Sequence, residues 1–312
     1  MSVATVRCAA FETVGRCLVA AQDFAPGDTC LVEAPILVGT WAACNRAFSL
    51  LDGKQRSIVL AFSGADDEEQ QDDAMRIAKR SIPREDWTET TGDLIQILHN
   101  NSIDLGNGIV GLFALASLAA HHCRPNIEGT ASFDGVSYLW TVRALRQIRK
   151  GEILGWNYNL SDRAMLSNTA VRRDELLELR GFLCRCDACT SLDYLRSFPC
   201  HKCQTGFVVG VDRGPSPSCS TCGAGLSDAT EADERSLYFE MIDSERPDWG
   251  SLCDRAHASL GPYHSITGRC AIEAFALNRE QRHSDLIQLF LSSPSMADAV
   301  TAKEYVEKRL QV

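Results

Sequence analysis

Long hydrophobic runs are missing from this sequence. The longest apolar stretch, Ile109 to Ala120, is too short to cross a bilayer. The first eight residues also lack the apolar core of a secretory signal peptide. We therefore expect no membrane partner, and we expect to find the protein in the cytoplasm or the nucleus.

An excess of positive charge is also missing, as are internal repeats and low-complexity segments. The 31 Lys and Arg residues against 41 Asp and Glu residues give a formal net charge of −10. Direct nucleic-acid binding is disfavoured, because neutralising phosphates requires a clustered basic surface. The acidic balance is compatible with a basic peptide substrate. At 312 residues, with 45% hydrophobic and 23% charged residues, the composition is that of a globular chain with a sizeable core.

Cysteine, in contrast, is abundant, with 14 residues in the chain. Without a secretion signal, these cysteines are expected to be thiols and metal ligands. Cys200-His-Lys-Cys203 and Cys219-Ser-Thr-Cys222 are two Cys-x-x-Cys pairs with the spacing of a four-cysteine zinc site. Such a site has no open coordination position, so the pattern predicts a structural zinc ion. The alternative is four unrelated buried cysteines.

The apolar pattern predicts strands within residues 12–40 and 132–158, and helices within 44–99 and 229–312. The acidic run at 66–73 is expected to be a solvated loop or an exposed helix start. The residues expected on buried helix faces in the first helical region are Leu50, Leu51, Ile58, Val59, Leu60, Phe62, Leu94, Ile95, Ile97 and Leu98. The cysteines expected to pack in the core as small apolar residues are Cys8, Cys17, Cys30, Cys44, Cys253 and Cys270.

Three further motifs follow one another along the chain. They are Gly111-Leu-Phe-Ala-Leu-Ala-Ser-Leu-Ala-Ala-His-His-Cys-Arg-Pro-Asn126, Lys150-Gly-Glu-Ile-Leu-Gly-Trp-Asn-Tyr158 and Gly181-Phe-Leu-Cys-Arg-Cys-Asp-Ala-Cys189. In this order and spacing they resemble the SET-domain lysine methyltransferases, closest to the branch that includes the MYND-containing members. The strand that begins at Gly15 and the segment Glu33-Ala-Pro35 are similar to the opening of the SET core. The MYND finger is missing, because the helical region holds only Cys44.

The resemblance implies an α+β fold. Its parts are a SET-domain β core with a crossing-loop (pseudoknot) active site, a helical insertion, a post-SET zinc segment, a zinc-ribbon-like pair of knuckles and C-terminal helices. The implied boundaries are 1–43 and 106–180 for the two parts of the SET core, 44–105 for the insertion, 181–228 for the post-SET and four-cysteine zinc region, and 229–312 for the C-terminal helical region.

The resemblance also implies the cofactor S-adenosylmethionine and the roles of individual residues. Tyr158 and His121 are the catalytic candidates. The cofactor-binding candidates are Gly15, Arg16, Cys17, Asn100, Asn101, Ala120 and His121. The substrate-channel candidates are His122, Asn126, Trp156, Arg180 and Phe182. Cys184, Cys186 and Cys189 are the candidates for a second zinc ion, with Cys123 as fourth ligand. The alternative fourth ligand is His201 or another cysteine.

Four positions depart from the family pattern. Ala120 replaces an asparagine that contacts the cofactor, His122 replaces a serine, and Cys17 replaces the second glycine of Gly-x-Gly. Arg180 replaces an aromatic residue of the lysine channel. Because a lost hydrogen bond to a charged group costs about 1.5–3 kcal/mol, the departures predict weak cofactor binding.

Three functions are compatible with these residues. The first is S-adenosylmethionine-dependent methyl transfer to a protein lysine, a peptide or another amine. The second is a SET scaffold that carries out a different reaction on a small molecule. The third is a non-catalytic interaction module. A cation at Arg180 would repel an ammonium substrate and attract an anionic or carbonyl-bearing one, which favours the second function if the side chain points inward.

Overall fold

The computed structural model describes residues 5–11, 15–62, 64, 68–158, 165–210, 217–296 and 300–311. The chain divides into two compact units. The N-terminal unit comprises Met1–His121 and Pro125–Trp156, and the C-terminal unit comprises His122–Arg124 and Asn157–Val312. Both units contain helices and strands, so the predicted α+β class is confirmed. The five-part division of the chain stays a prediction.

Ten short strands lie in the described part of the N-terminal unit. They are β1 (Val6–Phe11), β2 (Gly15–Ala20), β3 (Thr29–Glu33), β4 (Leu37–Gly39), β5 (Ile103–Gly106), β6 (Ile109–Leu112), β7 (Ala120–His121), β8 (Ile127–Phe133), β9 (Tyr138–Ala144) and β10 (Gly155–Trp156). The antiparallel groupings are β1-β2, β3-β9-β8 and β4-β6-β5, whereas β7 and β10 pair in parallel. This arrangement brings sequence-distant segments side by side.

The second predicted strand region is shorter than expected. The residues from 153 to 158 form only β10 and an isolated bridge between Ile153 and Val19. Tyr158 therefore lies two residues beyond a strand end and not within a strand. The backbone here hydrogen-bonds in turn to residues 18–20, to Ala120 and to Asn126, so no single strand pairs with it over its whole length.

Between β4 and β5, the described part of the chain forms four α-helices: α1 (Trp41–Leu50), α2 (Gly53–Leu60), α3 (Glu68–Ser81) and α4 (Thr91–Asn101). Thr40 caps α1, and Asp52 with Gln55 forms a capping box at the start of α2. The acidic run was expected to be a loop or an exposed helix start, and its residues from Glu68 onward begin α3. Residues 66 and 67 of the run lie outside the described residues.

Two residues of the apolar set in the first predicted helices, Leu50 and Leu60, are exposed. Val59 is fully buried, but the neighbouring Leu60 is 49% exposed and Leu50 is 85% exposed. Successive helix residues point roughly 100° apart, so one face of α2 cannot hold both Val59 and Leu60 against the core. Leu50 ends α1, where the chain turns toward α2.

The C-terminal unit combines three short strands with seven helices among its described residues. The strands are β11 (Asp193–Pro199), β12 (Phe207–Gly210) and β13 (Ser218–Cys219). The helices are α5 (Thr169–Arg180), α6 (Asp187–Thr190), α7 (Asp228–Asp243), α8 (Trp249–Leu260), α9 (Ser265–Asn278), α10 (Gln281–Leu291) and α11 (Val300–Gln311). The predicted helical C-terminal region is confirmed. None of the described helices has both the length and the apolarity that crossing a membrane would require.

Five of the six cysteines predicted to pack in the core are buried, and Cys8 is the exception. Cys8 lies on β1, most of whose residues are exposed, whereas β2 contributes four consecutive buried residues to the core. A two-stranded hairpin that rests on the core through its inner strand leaves the outer strand in solvent. The core prediction for Cys8 is therefore wrong.

A partly buried carboxylate joins three segments of the C-terminal unit. Arg196 donates to both oxygens of Glu234, at 2.9 Å from Nε and 2.7 Å from Nη2. The fully buried His264 lies with Nε2 3.2 Å from the same carboxylate, and its Nδ1 accepts from the backbone N–H of Ile266. Because Nδ1 is an acceptor, Nε2 carries the proton. Burial alone would raise the pKa of Glu234, but the hydrogen bonds from His264 and Arg196 lower it to about 2.

Acid is expected to remove the stabilisation that Glu234 provides. A carboxylate whose pKa is depressed in the folded state stabilises the fold above its unfolded pKa, about 4.3, and loses that effect as the pH falls toward 2. We expect Glu234→Gln to lower the free energy of unfolding by about 2 kcal/mol at pH 7 and by about half as much at pH 3, where part of the effect is already lost. Urea unfolding at both values measures this. Glu178→Gln, an exposed control, should change neither value, and an equal loss at both pH values would contradict the prediction.

Candidate functional site

Three motif segments meet in the backbone of the N-terminal unit. The Leu154 N–H donates to the Leu18 carbonyl at 2.8 Å, and the Ala120 N–H donates to the Leu154 carbonyl at 3.1 Å. In the parallel β7-β10 pair, Gly155 lies opposite Ala120 and Trp156 lies opposite His121. The segment 152–156 therefore lies between the strand that begins at Gly15 and the strand of Ala120 and His121.

Asn126 and Glu152 hold this arrangement together. The Asn126 amide donates to the Glu152 carboxylate at 2.9 Å and to the Ile153 carbonyl at 2.8 Å, and its oxygen accepts from Gly155 at 2.8 Å. Arg146 donates to the same carboxylate at 2.6 Å. Burial would raise the pKa of Glu152, but the bonds from Arg146 and Asn126 outweigh it, so the pKa lies below its ordinary value. Asn126 thus has a positioning role, and its channel role stays a prediction.

Glu33 performs a similar task for the segment before β7. Its carboxylate accepts from the backbone N–H groups of Leu115 at 3.0 Å and Ala116 at 2.8 Å. Burial raises the pKa of Glu33 although these bonds oppose the rise. Neither Glu33 nor Glu152 was predicted as a site residue, although both lie within the motifs of the SET resemblance. A match to a motif does not show which of its residues contact a ligand and which only position their neighbours.

The cofactor candidates lie in two places within the N-terminal unit. Gly15 has a φ of +67°, which favours glycine, and the Arg16 guanidinium donates to the Ala61 carbonyl. The Asn100 amide donates to the Gly64 carbonyl at 2.7 Å, so Arg16 and Asn100 both reach the segment after α2. Asn101 donates to the Ile97 carbonyl of its own helix at 2.8 Å. Ala120 and His121, in contrast, form the half-buried β7.

Cys17 points into the protein. It lies opposite Ala9 in the β1-β2 hairpin and is 1% exposed. Burial raises the pKa of its thiol, and the neighbouring Cys8 adds to the rise. A buried thiol presents little surface to a ligand. The Cys17 side chain therefore hinders cofactor binding less than the missing side-chain donor at Ala120 does.

Tyr158 is enclosed by an aromatic ring and a cation in the C-terminal unit. Its ring makes an edge-to-face contact with Phe182, at 6.3 Å between centroids and 86° between planes. The Arg180 guanidinium lies 6.0 Å from the centroid of the Tyr158 ring. Burial lowers the pKa of Arg180. Of the other channel candidates, Trp156 packs edge-to-face on Trp140 in the N-terminal unit, at 5.7 Å.

The first cysteine cluster, which we define as Cys123, Cys184, Cys186 and Cys189, forms beside these residues. Its four sulfur atoms all lie within 4.8 Å of one another. The Cys123 sulfur is 3.4 Å from that of Cys189 and 3.9 Å from that of Cys184. The three thiols of the 184–189 loop are thus joined by Cys123 and not by His201. Tyr158 and Phe182 belong to the same small apolar cluster.

The second cysteine cluster comprises Cys200, Cys203, Cys219 and Cys222, with sulfur atoms again within 4.8 Å of one another. Backbone N–H groups of Cys203 and Thr221 point at the sulfurs of Cys200 and Cys219, at 3.5 and 3.4 Å. A Cβ at Gly206 would lie 2.6 Å from the Cys219 sulfur, so only glycine fits there. Soft sulfur donors in sets of four suit a tetrahedral zinc ion, and both clusters can hold a metal ion.

His122 and Asp187 form a contact next to the first cluster. The His122 Nε2 atom is 2.9 Å from the Asp187 carboxylate, and Nδ1 accepts from the Arg124 N–H at 3.0 Å. The hydrogen bond from His122 lowers the pKa of Asp187. Because both ring nitrogens have protein partners, His122 helps to fix the loop that carries Cys186. Its channel role stays a prediction.

Two arginines of α5 support the first cluster and were missed from the sequence. The Arg172 guanidinium is buried beside the Cys189 sulfur, and the Arg173 Nε atom donates to the Cys184 carbonyl at 2.9 Å. Burial alone would lower the pKa of Arg172, but the charges of Asp193, Cys123 and Cys189 raise it. Adjacent arginines on a polar helix are typical of a solvent-exposed face, so the sequence held no signal for this placement.

Comparison with known proteins gives one family match and several distant structural similarities. Residues 15–159, just under half of the chain, match the family model described as the SET domain. No curated protein matches the chain. The chain is similar in structure to the SET domain of LSMT bound to lysine and AdoHcy, with 15% identity and a TM-score of 0.39 over 100% of this chain and 86% of that one.

Two further solved structures show how distant these similarities are. Rubisco LSMT bound to sinefungin and monomethyllysine has 13% identity and a TM-score of 0.41, covering 100% of this chain and 86% of that chain. Polycomb repressive complex 2 of Chaetomium thermophilum has 12% identity and a TM-score of 0.31, and the match covers 98% of this chain but only 32% of that one. Similarities at this level carry no function over. The family match therefore concerns only the first part of the chain, whose residues 15–159 are similar to the SET domain.

Proposed function

We propose that this protein is a SET-type methyltransferase that moves a methyl group from S-adenosylmethionine to the amine of a lysine in a protein or peptide. One observation carries the proposal. The segment 152–156 lies between the strand that begins at Gly15, which it contacts at Leu18 to Ala20, and the strand of Ala120 and His121, and Tyr158 follows two residues after that segment. The reaction needs such closeness, because an in-line displacement requires donor and acceptor to be aligned.

The cofactor would supply a methyl group on a sulfonium. Gly15, Arg16, Asn100 and the backbone at Ala120 would hold it, with Asn101, Cys17 and His121 beside them. The fit is partial, because Ala120 offers no side-chain donor, and the Arg16 and Asn100 side chains already donate to backbone carbonyls. We therefore expect cofactor affinity to be weak. Tyr158 would align the acceptor amine through its hydroxyl without changing its own protonation state.

The finer features of the family belong to the same proposal. We assign the chain to the MYND-related branch without its finger, with crossing loops at the active site, a post-SET zinc segment at 181–228 and helices at 229–312 that serve as a separate region. Each cysteine cluster would hold one structural Zn²⁺. The protein would act in the cytoplasm or the nucleus, on a protein or peptide acceptor and without direct contact to nucleic acid or membrane.

Transfer of a tritiated methyl group tests the proposal. The purified protein should label lysine-containing peptides or proteins when incubated with S-adenosylmethionine that carries the labelled methyl group. Acid hydrolysis should return the label as methyl-lysine. A panel in which lysine is replaced by arginine in every peptide is the control and should remain unlabelled. Binding of the cofactor without transfer to any amine would contradict the proposal.

A second candidate function rests on Arg180. Its guanidinium lies over the Tyr158 ring, so an ammonium substrate would approach a fixed positive charge. An anionic or carbonyl-bearing small molecule would be attracted instead, which suits a SET scaffold with a different reaction. Arg180→Phe separates the two functions. Lysine methylation should rise if Arg180 hinders the amine, whereas binding of an anionic metabolite should be lost if Arg180 recognises it. Arg185→Met, an exposed arginine nearby, is the control.

Restoring the missing donor is expected to strengthen cofactor binding. Ala120→Asn places a carboxamide in the half-buried β7, where one hydrogen bond to a charged group contributes about 1.5 kcal/mol, or roughly tenfold in affinity. Isothermal titration with S-adenosylmethionine measures the change. Ala120→Leu adds similar volume without the donor and should weaken binding. If Ala120→Asn and Ala120→Leu behave alike, the cofactor does not approach β7.

A further inference from the structure

Arg172 occupies an unusual environment at the base of α5. Its side chain is buried, and the residue is only 4% exposed. The guanidinium donates to the Ser167 carbonyl, to the Thr169 hydroxyl at 2.9 Å and to the Ala188 carbonyl at 3.3 Å. Its Nη2 atom also lies 3.9 Å from the sulfur of Cys189. These partners accept hydrogen bonds but, apart from the sulfur, they carry no charge.

A buried guanidinium requires negative charge nearby, because desolvating an arginine without compensation is strongly unfavourable. Among the described residues, no carboxylate lies within ion-pair distance of Arg172. Asp193 is the largest favourable charge acting on Arg172, ahead of Cys123 and Cys189, but it makes no ion pair with it; its oxygens accept from the backbone N–H groups of Thr169 and Leu195. The Nε atom of Arg172 has no partner in the described part of the chain. Carboxylates and hydrogen bonds thus leave the charge incompletely balanced.

The first cysteine cluster can supply the missing charge. Four protonated thiols are neutral, whereas four thiolates around a divalent metal ion form a doubly negative group. Cys189, the ligand next to Arg172, is fully buried. An N–H donor aimed at a thiolate from a cation is a charge-assisted contact. The guanidinium and the metal-loaded cluster therefore stabilise each other through their opposite charges. Removing either group leaves the other with an unbalanced buried charge.

We propose that Arg172 is the positioning residue of the first cysteine cluster: its guanidinium contacts the Ala188 carbonyl and the Cys189 sulfur, fixes the ligand loop and so retains the divalent metal ion. The inference rests on the proposed metal at this cluster and is independent of methyl transfer. It also sets the two clusters apart. Among the described residues, no arginine contacts a sulfur of the second cluster, whose sulfurs accept from the backbone N–H groups of Cys203 and Thr221.

The inference has a consequence for the aromatic side of the cluster. Tyr158 and Phe182 pack in the same apolar group as the first cluster, whereas the second cluster belongs to the helical core of the C-terminal unit. Loss of metal from the first cluster should therefore alter the surroundings of Tyr158, and loss from the second should not. Arg172 would act on the candidate active site only through the cluster.

Metal retention tests the inference directly. Zinc-loaded wild type, Arg172→Met, Arg172→Lys and Arg185→Met are exposed to an excess of a chromophoric chelator, and zinc release is followed with time. In parallel, alkylation of each cysteine is followed by mass spectrometry, which assigns the release to one cluster. Arg185 is the matched control, because it lies in the ligand loop between Cys184 and Cys186 but is exposed.

In Arg172→Met we expect the cysteines of the first cluster to be alkylated at least about tenfold faster, the equivalent of one lost charge-assisted hydrogen bond. The second cluster should be unchanged, as should both clusters in Arg185→Met. Arg172→Lys, which keeps the charge but cannot reach all acceptors, should be intermediate; it also covers the case in which Arg172→Met does not fold. Equal release from wild type and Arg172→Lys, or equal acceleration at both clusters, would overturn the inference. So would a wild-type first cluster without metal.

Discussion

Replacing Tyr158 by phenylalanine is expected to lower turnover by about 10²-fold while leaving the fold intact. The substitution removes a single oxygen, and the ring contact with Phe182 and the Arg180 guanidinium over the ring can both persist. The hydroxyl is the polar group that would align an acceptor amine with the methyl group in transfer, or donate a hydrogen bond to a developing oxyanion in other chemistry. The measurement is the initial rate of labelled methyl transfer at saturating cofactor.

The control for this variant is Tyr138→Phe. Tyr138 loses the same atom, but it lies at the start of β9, where its ring packs against Phe133 with 4.7 Å between centroids. Zinc content and melting temperature should match the wild type in both variants. His121→Ala, assayed beside them, reports on the other catalytic candidate. Full activity of Tyr158→Phe, with those controls unchanged, would remove Tyr158 from the mechanism and favour an interaction module or an altered pocket.

Chelation is expected to unfold much of the C-terminal unit. Structural zinc contributes about 10–16 kcal/mol of binding free energy in small domains, and this energy becomes folding free energy when the site forms only in the folded state. The second cluster joins β11 to β13 around a small sheet, and three of its cysteines, Cys200, Cys203 and Cys219, pack in the main core of the unit. We therefore expect a fall of more than about 10 °C in the melting temperature on treatment with a chelator.

Single-ligand variants separate the clusters. Cys219→Ser should lower the zinc content by one ion per chain and lower the melting temperature, because a hydroxyl is a poor substitute for a thiolate. Cys8→Ser makes the same atomic change at an exposed residue outside both clusters and should do neither. Elemental analysis and circular dichroism measure both quantities. A wild-type protein with no zinc, or a melting temperature that the chelator does not change, would contradict the metal assignment.

Local spacing was enough to predict the second cluster, because its ligands come in two close pairs on adjacent turns. The first cluster needed more. Three thiols of one loop call for a distant fourth, and only the likeness to the SET motifs pointed to Cys123, which the structure brings to 3.4 Å from Cys189. Alternation and helical periodicity predicted the classes of the elements but not the length of the strand before Tyr158.

The misses share a physical cause, since each depends on tertiary contacts. Leu50 and Leu60 have the residue type of a core but lie on helix faces turned to solvent. Arg172 has the residue type of a surface but is buried beside thiols that are distant in sequence. Glu33 and Glu152 are motif residues whose roles become visible only when their backbone and side-chain donors are known. Pattern predicts which side chains are apolar, and packing decides which faces are covered.

A calorimetric titration of S-adenosylmethionine into the zinc-loaded protein tests the proposed methyl transfer most directly. The partial fit at Ala120, Arg16 and Asn100 predicts saturable binding of one cofactor per chain, with an affinity about tenfold or more below that of the Ala120→Asn variant. S-adenosylhomocysteine should compete for the same site. No saturable heat with either compound, from protein that keeps its zinc and its cooperative melting, would contradict the account and leave a SET domain that serves another ligand.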